Sequence, residues 1–351
     1  MTKRREDKPS SDETIEPQVE VTAEAETTAD VPETFFRKRL EHDVWEAWAW
    51  TGVGLFGAAV VVWIVAFLKL GMPSVKAYGV GIPLTSMMAV PIMLWGLMKS
   101  LLNPPLFRPS RTIAFVLVSV VAFFANKPLM PAPVSTEGWE SKATFTLPFE
   151  GTWYTLSGGD SMDHNYLATS PAMRWGYAFT VLKDGRRAPE NAAKIDEYYC
   201  YGKPILAPVD GEVVEVESRV DDNKPGEPNP YNGMLGNHLI LRVGQGDEHL
   251  FVSYLKRGSI PLKVGQKVKR GEVIGECGSS GASAYPHVQL HLQRGDSKLL
   301  AEGLPMRFSD YRVGKETYTT GMPQGAGPEQ SLTTGQLVTP LARAAQPTAS
   351  R

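Results

Sequence analysis

Hydrophobic residues are distributed differently in the two parts of this chain. Near the N-terminus they form three long runs, at about 47–68, 77–98 and 112–130. The first run carries no charged residue over about 22 positions, which is long enough to cross a bilayer as a helix. Pro83 and Pro91 predict kinks in the second run. The third run reaches spanning length only by including an Asn-Lys pair near its end, so a buried or re-entrant segment is the alternative interpretation.

Beyond these runs the apolar residues occur in short alternating stretches. Between Tyr201 and Gln293 such stretches are separated by Gly, Pro, Asp and Asn at intervals of about eight to twelve residues, a pattern typical of antiparallel strands joined by tight turns. Gly211, Gly265 and Gly271 stand where turns favour a positive φ. The predicted fold class is therefore mainly β, with an antiparallel β-sheet domain preceded by three transmembrane α-helices.

Composition sets the limits of this domain. Residues 1–43 are acidic and poor in aromatic residues, which predicts a disordered segment. Residues 131–148 are interpreted as a linker and first strand, residues 149–312 as the β domain. Residues 313–351, rich in Gly, Thr, Gln and Pro, are predicted to form a flexible tail.

Charge bears on topology and on partners. Positive residues flank the first apolar run and cluster between the second and third, whereas the loop between the first two runs contains only Lys69 and Lys76. This asymmetry places the N-terminus in the cytoplasm, and three spans would then place residues 131 onward on the opposite side. The formal net charge of −2 provides no overall basic field for nucleic acid.

The two cysteines, Cys200 and Cys277, both lie in the predicted β domain. They would pair in an oxidising compartment, and two buried thiols are the alternative.

Several sequence blocks in this region occur in a recognisable order. They are Gly236-Asn-His, Val252-Ser-Tyr-Leu-Lys-Arg-Gly-Ser and Pro286-His-Val-Gln-Leu-His. Together they resemble the lysostaphin/LytM-type zinc metallopeptidases, which cut peptide cross-links in bacterial cell walls. The resemblance covers roughly residues 149–311 and implies the duplicated hybrid motif-like β-sheet core of that family. It also implies a bacterial plasma (inner) membrane, with the β domain on its outer, extracytoplasmic face.

The residues that bind zinc in that family are replaced in this chain. Leu167 and Ala178 stand where the resemblance places the first His and the Asp, and Gln289 stands at the last His. A catalytic zinc needs three protein ligands and an open position for water, and neither Leu nor Ala can donate a lone pair. His164 lies three positions before Leu167, an odd offset that would point it to the other face of a strand. We therefore expect no metal cofactor, although active relatives carry zinc.

Other positions of the family site are partly retained. The resemblance aligns His287 with the catalytic His, Tyr254 with a His that stabilises the oxyanion, and His291 with an optional extra His. His287 and His291 would lie about 13 Å apart along a strand, too far to share an ion. The groove is expected to be lined by Leu167, Tyr254, His287, Gln289 and His291.

The resulting hypothesis is a membrane-anchored, catalytically inactive relative that acts as a cell-envelope binding or regulatory module. Its expected partners are the membrane and either a cell-wall peptide or a wall hydrolase, with no nucleic acid. One alternative is an active zinc metalloendopeptidase with an altered site, in which His164 or Asp163 converges on His287. A further alternative is a membrane function of the three spans, with the β domain as an accessory.

Overall fold

The structure is a computed structural model that describes residues 44–105, 107–123, 132, 141, 143–327 and 331–341. The acidic segment 1–43, most of the predicted linker and the last ten residues lie outside the described residues. The disorder predicted for residues 1–43 stays a prediction.

Three helices occupy the apolar N-terminal region. Helix α1 spans Ala47–Phe67, α2 spans Met72–Leu102 and α3 spans Pro109–Phe123. Only α1 and α2, within the part of the chain that the structure describes, are long and apolar enough to cross a membrane. Helix α3 has 15 described residues, and positions 124–130 of the predicted third span lie outside the description.

The second helix begins earlier and ends later than the sequence pattern predicted. Its first turns contain a π-helical segment, Ala77–Gly81, which ends two residues before Pro83, while Pro91 lies inside the helix. A proline removes one helical hydrogen bond, and π-helix, although rare, occurs mostly as single turns of this kind inside α-helices. The apolar pattern predicted the middle of the helix. Its first and last turns contain polar residues and were therefore predicted to be loops.

The three helices pack against one another through small residues. A Cβ on Gly96 of α2 would overlap the indole of Trp48 in α1, and one on Gly52 of α1 would meet Val118 of α3. Close helix–helix approach through glycine is typical of membrane helix pairs. Because the start of α1 meets the end of α2, α1 and α2 run antiparallel.

A buried arginine joins all three helices at one end of the bundle. The Arg111 side chain is 1% exposed. Its guanidinium donates two hydrogen bonds to the Glu46 carboxylate, at 2.6 and 3.2 Å, and one each to the carbonyls of Asn103 and Pro105. These partners precede α1 and connect α2 to α3, so one side chain ties together the three helix ends.

The β domain is built on a long antiparallel sheet. Its strand order is β12-β11-β13-β1-β2-β9-β6-β5-β4-β7, with β10 paired to β9, and β3 pairs β8 in a small second sheet. The strands of the main sheet are β1 Trp153–Ser157, β2 Tyr177–Thr180, β4 Gly211–Glu217, β5 Asn237–Val243, β6 Glu248–Leu255, β7 Lys267–Val268, β9 Val288–Arg294, β10 Glu302–Leu304, β11 Phe308–Val313, β12 Glu316–Gly321 and β13 Leu337–Pro340. The small sheet contains β3 Pro204–Leu206 and β8 Val273–Glu276.

Strict alternation divides the central strands between two faces. In β9, Val288, Leu290 and Leu292 enter the main hydrophobic core, which the β3–β8 sheet covers. Gln289 and His291 point to the opposite face, since side chains alternate along a strand. The antiparallel β domain predicted from the sequence is confirmed.

A disulfide closes the core side of the domain. Cys200 and Cys277 are bonded, with their Cα atoms 5.9 Å apart, and both are almost completely buried. The bond joins the segment before β3 to the end of β8. Of the two possibilities that the sequence left open, a disulfide or two buried thiols, the structure contains the disulfide.

The predicted boundaries of the domain were wrong at both ends. Strand β1 begins at Trp153, after the proposed linker and first strand, although Phe145 within that segment is buried and bridges Phe308. The predicted flexible tail contains β12 and β13, which extend the sheet beyond β11 and beside β1. Strand pairing stabilises these polar, threonine-containing segments, which have little apolar surface of their own.

The β domain contacts the helical bundle at the end opposite Arg111. The Tyr78 hydroxyl donates to the Thr169 carbonyl at 3.4 Å. Gly71, in the turn between α1 and α2, lies beneath the Glu302 carboxylate, which also pairs with Arg294 at 3.1 Å. The loop between α1 and α2 and the β domain therefore lie at the same end of the bundle.

The buried arginine gives a stability prediction. Arg111→Ala should lower the free energy of unfolding by about 3–5 kcal/mol, because it leaves Glu46 and two carbonyls without their donor. Thermal unfolding of the detergent-solubilised chain, followed by tryptophan fluorescence, measures this change. Arg108→Ala removes the same charge at the same end and should shift stability by no more than about 0.5 kcal/mol. Equal effects of the two substitutions would contradict this role of Arg111.

Candidate functional site

The three positions assigned to metal ligands lie close together in the fold. Ala178 of β2 pairs directly with Gln289 of β9 in the strand register. Leu167 belongs to a 3-10 turn, Tyr166–Thr169, whose start is fixed by the Asn165 side chain accepting from the Leu167 amide at 3.0 Å. The segment around His164 and Leu167 is thus not a strand, and the prediction that His164 points to the other face of a strand is wrong.

A cavity of about 270 Å³ opens at this place on the outer face of the sheet. Leu167, Tyr254, His287 and Gln289 line it together, as the sequence analysis expected of the groove. Met234 adds an exposed apolar side chain. A concave, largely apolar surface with a few polar groups is typical of a binding site.

Tyr254 occupies the floor of the cavity in an uncommon backbone conformation. Its φ is 67°, which is rare for a bulky residue and marks local strain that the surrounding structure maintains. The residue is 8% exposed. Burial raises the pKa of Tyr254 to about 12, so the hydroxyl is protonated at neutral pH.

His287 is a neutral imidazole with a defined tautomer. Its Nδ1 lies 2.8 Å from the Tyr285 carbonyl and 3.0 Å from the Ser283 hydroxyl. Because a carbonyl oxygen only accepts, Nδ1 carries the proton and Nε2 keeps its lone pair. Burial lowers the pKa of His287 to about 4. The residue can accept a hydrogen bond from a ligand, but it is a weak base near neutral pH.

His291 does not line this cavity, contrary to the expected groove. Its ring stacks on Phe251 at a centroid distance of 4.6 Å, and its Nε2 faces Gln293 Oε1 at 3.2 Å. Gln293 in turn donates to the carbonyls of Gly295 and Ser297, which fixes the following loop. Although His291 shares a face of β9 with Gln289, neighbouring side chains cover that face beyond Gln289.

The residues required by the altered-site alternative lie elsewhere. His164 Nδ1 is 3.2 Å from the Gly325 carbonyl, and Asp163 interacts with Ser161 in an exposed turn. His238, the histidine of the Gly236-Asn-His block and not part of that alternative, is held by the Gly236 carbonyl and the Glu215 carboxylate. None of these three residues lines the cavity that contains His287.

The donor set at the site does not fit a zinc ion. Leu167 and Ala178 have no lone pair, so the Gln289 amide oxygen is the one possible ligand among the three; its amide nitrogen donates to the Met173 sulfur at 3.6 Å. Within the described residues, no group of three His, Cys, Asp or Glu side chains is arranged to hold a metal. A tetrahedral zinc site with water needs three such ligands.

Arg187 lines the cavity, although it was not predicted from the sequence to be a site residue. Arg187 follows a tight turn after β2, and its guanidinium lies over the Tyr285 ring, 5.2 Å from the centroid. In the sequence it is one of two adjacent arginines, and nothing in the pattern distinguishes it from Arg186. Only the folded chain reveals that Arg187 faces the cavity.

Burial of His291 predicts a pH-dependent stability. Burial lowers its pKa from 6.5 to about 4, so the unfolded chain binds this proton more readily between these pH values. The stabilisation is complete above pH 6.5 and decreases as the pH falls towards 4. His291→Phe keeps the stacked ring and should reduce the slope of unfolding free energy in this window by about 1.4 kcal/mol per pH unit. An unchanged slope in denaturant titrations would contradict the neutral buried imidazole.

Comparison with known proteins identifies the domain around this site. Residues 193–300 match the model of peptidase family M23. Over 100 residues the chain is 35% identical to the glycyl-glycine endopeptidase ALE-1 of Staphylococcus capitis, covering 28% of this chain and 23% of that protein. The chain thus spans less than a quarter of the length of this relative. Leu167 and Ala178 lie before the first residue matched by the family model.

Solved structures show weaker overall similarity. The catalytic domain of lysostaphin from Staphylococcus simulans is 22% identical, with a TM-score of 0.24 over 36% of this chain and 73% of that one. A zinc-containing peptidase from Vibrio cholerae is 21% identical, with a TM-score of 0.28 over 46% of this chain and 41% of that one. The family match and the ALE-1 homology identify residues 193–300 as a domain of peptidase family M23, of the lysostaphin/LytM type.

Proposed function

We propose that this chain is a membrane-anchored, non-catalytic M23 domain that binds cell-wall peptides on the outer face of a bacterial plasma membrane. The observation that carries the proposal is a retained groove whose three ligand positions are Leu167, Ala178 and Gln289. The apolar alternation that builds the sheet needs no metal, so loss of the ligands leaves the groove in place.

Four features of the described residues support anchoring with the β domain outside. Helices α1 and α2 are long and apolar enough to span, and positive residues cluster at the end that contains Arg111. The β domain contacts the opposite end through Tyr78 and Gly71. The Cys200–Cys277 disulfide agrees with an oxidising compartment.

The groove offers contacts suited to a peptide. His287 Nε2 can accept from a peptide amide, while Met234 presents a side chain that is 62% exposed. The relative ALE-1 is named as an endopeptidase acting on glycyl-glycine, and its homologous region supports a peptide as the ligand class. Bound peptide without an activated water would be held and not cut, a property suited to recruiting or regulating wall hydrolases.

Wall binding should depend on the exposed side of the groove. Met234→Ser should weaken co-sedimentation of the detergent-solubilised chain with purified cell walls about fivefold or more, because it removes about 1 kcal/mol of apolar contact. Val264 is similarly exposed, at 65%, and does not line the groove, so Val264→Ser should bind like the unchanged chain. Absence of wall binding by the unchanged chain would contradict the proposed function.

Reinstating the ligands should restore metal binding. The variant with Leu167→His, Ala178→Asp and Gln289→His should retain about one zinc per chain after dialysis, because the three positions converge in the fold. The unchanged chain should retain essentially none, and the variant without Gln289→His should hold zinc more weakly. A full equivalent in the unchanged chain, lost on His287→Ala, would mean that other residues bind zinc.

A further inference from the structure

Arg187 is a charged side chain in a groove that is otherwise neutral. Of the described residues that line the 270 Å³ cavity, only Arg187 carries a charge at neutral pH, since His287 is neutral. The same side chain also lines an adjoining cavity of about 410 Å³ with Tyr198 and Leu332. Arg187 therefore stands where the groove continues from one cavity into the next.

The backbone fixes the position of this residue. Lys183 and Arg186 pair in a tight turn immediately before it, and the Tyr199 amide donates to the Arg187 carbonyl at 3.0 Å. The guanidinium lies over Tyr285, which stacks on Tyr198 at 5.9 Å. These contacts hold the side chain over an aromatic surface with little freedom to turn away from the groove.

No carboxylate among the described residues neutralises this guanidinium. Its Nε is buried without a hydrogen-bond partner. Glu190, three positions after Arg187, also lines the adjoining cavity but pairs with Arg186 at 3.1 Å. Desolvation lowers the pKa of Arg187, but an arginine remains protonated in a protein. A partly buried cation with an unused hydrogen-bond donor is unfavourable unless a ligand supplies an acceptor and a negative charge.

We propose that Arg187 binds a carboxylate of the wall peptide that occupies the groove. This inference rests on the proposed function, and it specifies that the peptide bound in the groove carries a negative charge next to Arg187. A guanidinium presents two parallel N–H groups to a carboxylate, a geometry that an ammonium group does not reproduce. The uncharged cavity beside it, with Leu167 and Met234, would hold the neighbouring uncharged part of the peptide.

Chemical modification of the ligand tests this inference without altering the protein. Soluble wall fragments, released by a glycosidase that leaves the peptides intact, are compared before and after methyl esterification of their carboxylates. Affinity for the full chain in nanodiscs is measured by calorimetry. We expect esterification to weaken binding about tenfold or more, because the charge-assisted hydrogen bonds are lost.

Variants of the two adjacent arginines localise the effect. Arg187→Met should bind both forms of the fragments equally and about tenfold more weakly than the unchanged chain binds the native form. Its thermal midpoint should equal or exceed that of the unchanged chain, because an unpaired desolvated cation is removed. Arg186→Met removes the same charge from a side chain that is 58% exposed and should leave the preference for the native form intact.

The outcomes separate the inference from the proposed function. Equal binding of native and esterified fragments by the unchanged chain would overturn the inference and leave peptide binding standing. Retention of the preference in Arg187→Met would also overturn it. Binding of neither form would overturn both.

Glu329, three positions before Leu332, is an acid of this chain outside the described residues, and Glu329→Gln should not change affinity. Severalfold tighter binding by Glu329→Gln would identify the chain's own carboxylate as the occupant and overturn the inference.

Discussion

The structure depends on strand β9 and its pairing with β2 and β6. One face of β9 carries Val288, Leu290 and Leu292 into the core, and the other places Gln289 beside Ala178. Because side chains alternate with a period of two, the register that buries the apolar residues also fixes the site residues. A change of register by one residue would expose the core and destroy the groove together.

This arrangement separates the stability of the domain from metal chemistry. The main hydrophobic core and the disulfide are formed by residues that do not line the cavity. The fold therefore does not require metal ligands at Leu167, Ala178 and Gln289. Tyr254, one of four non-glycine residues with a positive φ in the described part of the chain, lines the groove. A site without metal ligands can still be a well-formed binding surface.

Much of the fold could be predicted from the sequence, because alternation and turn residues report directly on burial. The central strands followed that pattern, whereas β12 and β13 did not, since polar segments at a sheet edge gain stability from pairing that no local pattern shows. The groove residues Tyr254, His287 and Gln289 were found through motif blocks, and Leu167 through the position that the family resemblance assigns to a ligand. Spacing alone could not show that Phe251 covers His291, or that Arg187 faces the cavity and Arg186 does not.

The central claim is that the groove holds a wall peptide without cutting it. The most direct measurement incubates the full chain in nanodiscs with glycosidase-released wall fragments and added zinc, then analyses bound and free peptides by mass spectrometry. The account predicts that the bound fraction contains intact peptide and that no shorter product accumulates. Products that appear with the unchanged chain and disappear with His287→Ala would contradict it, and would establish an active peptidase.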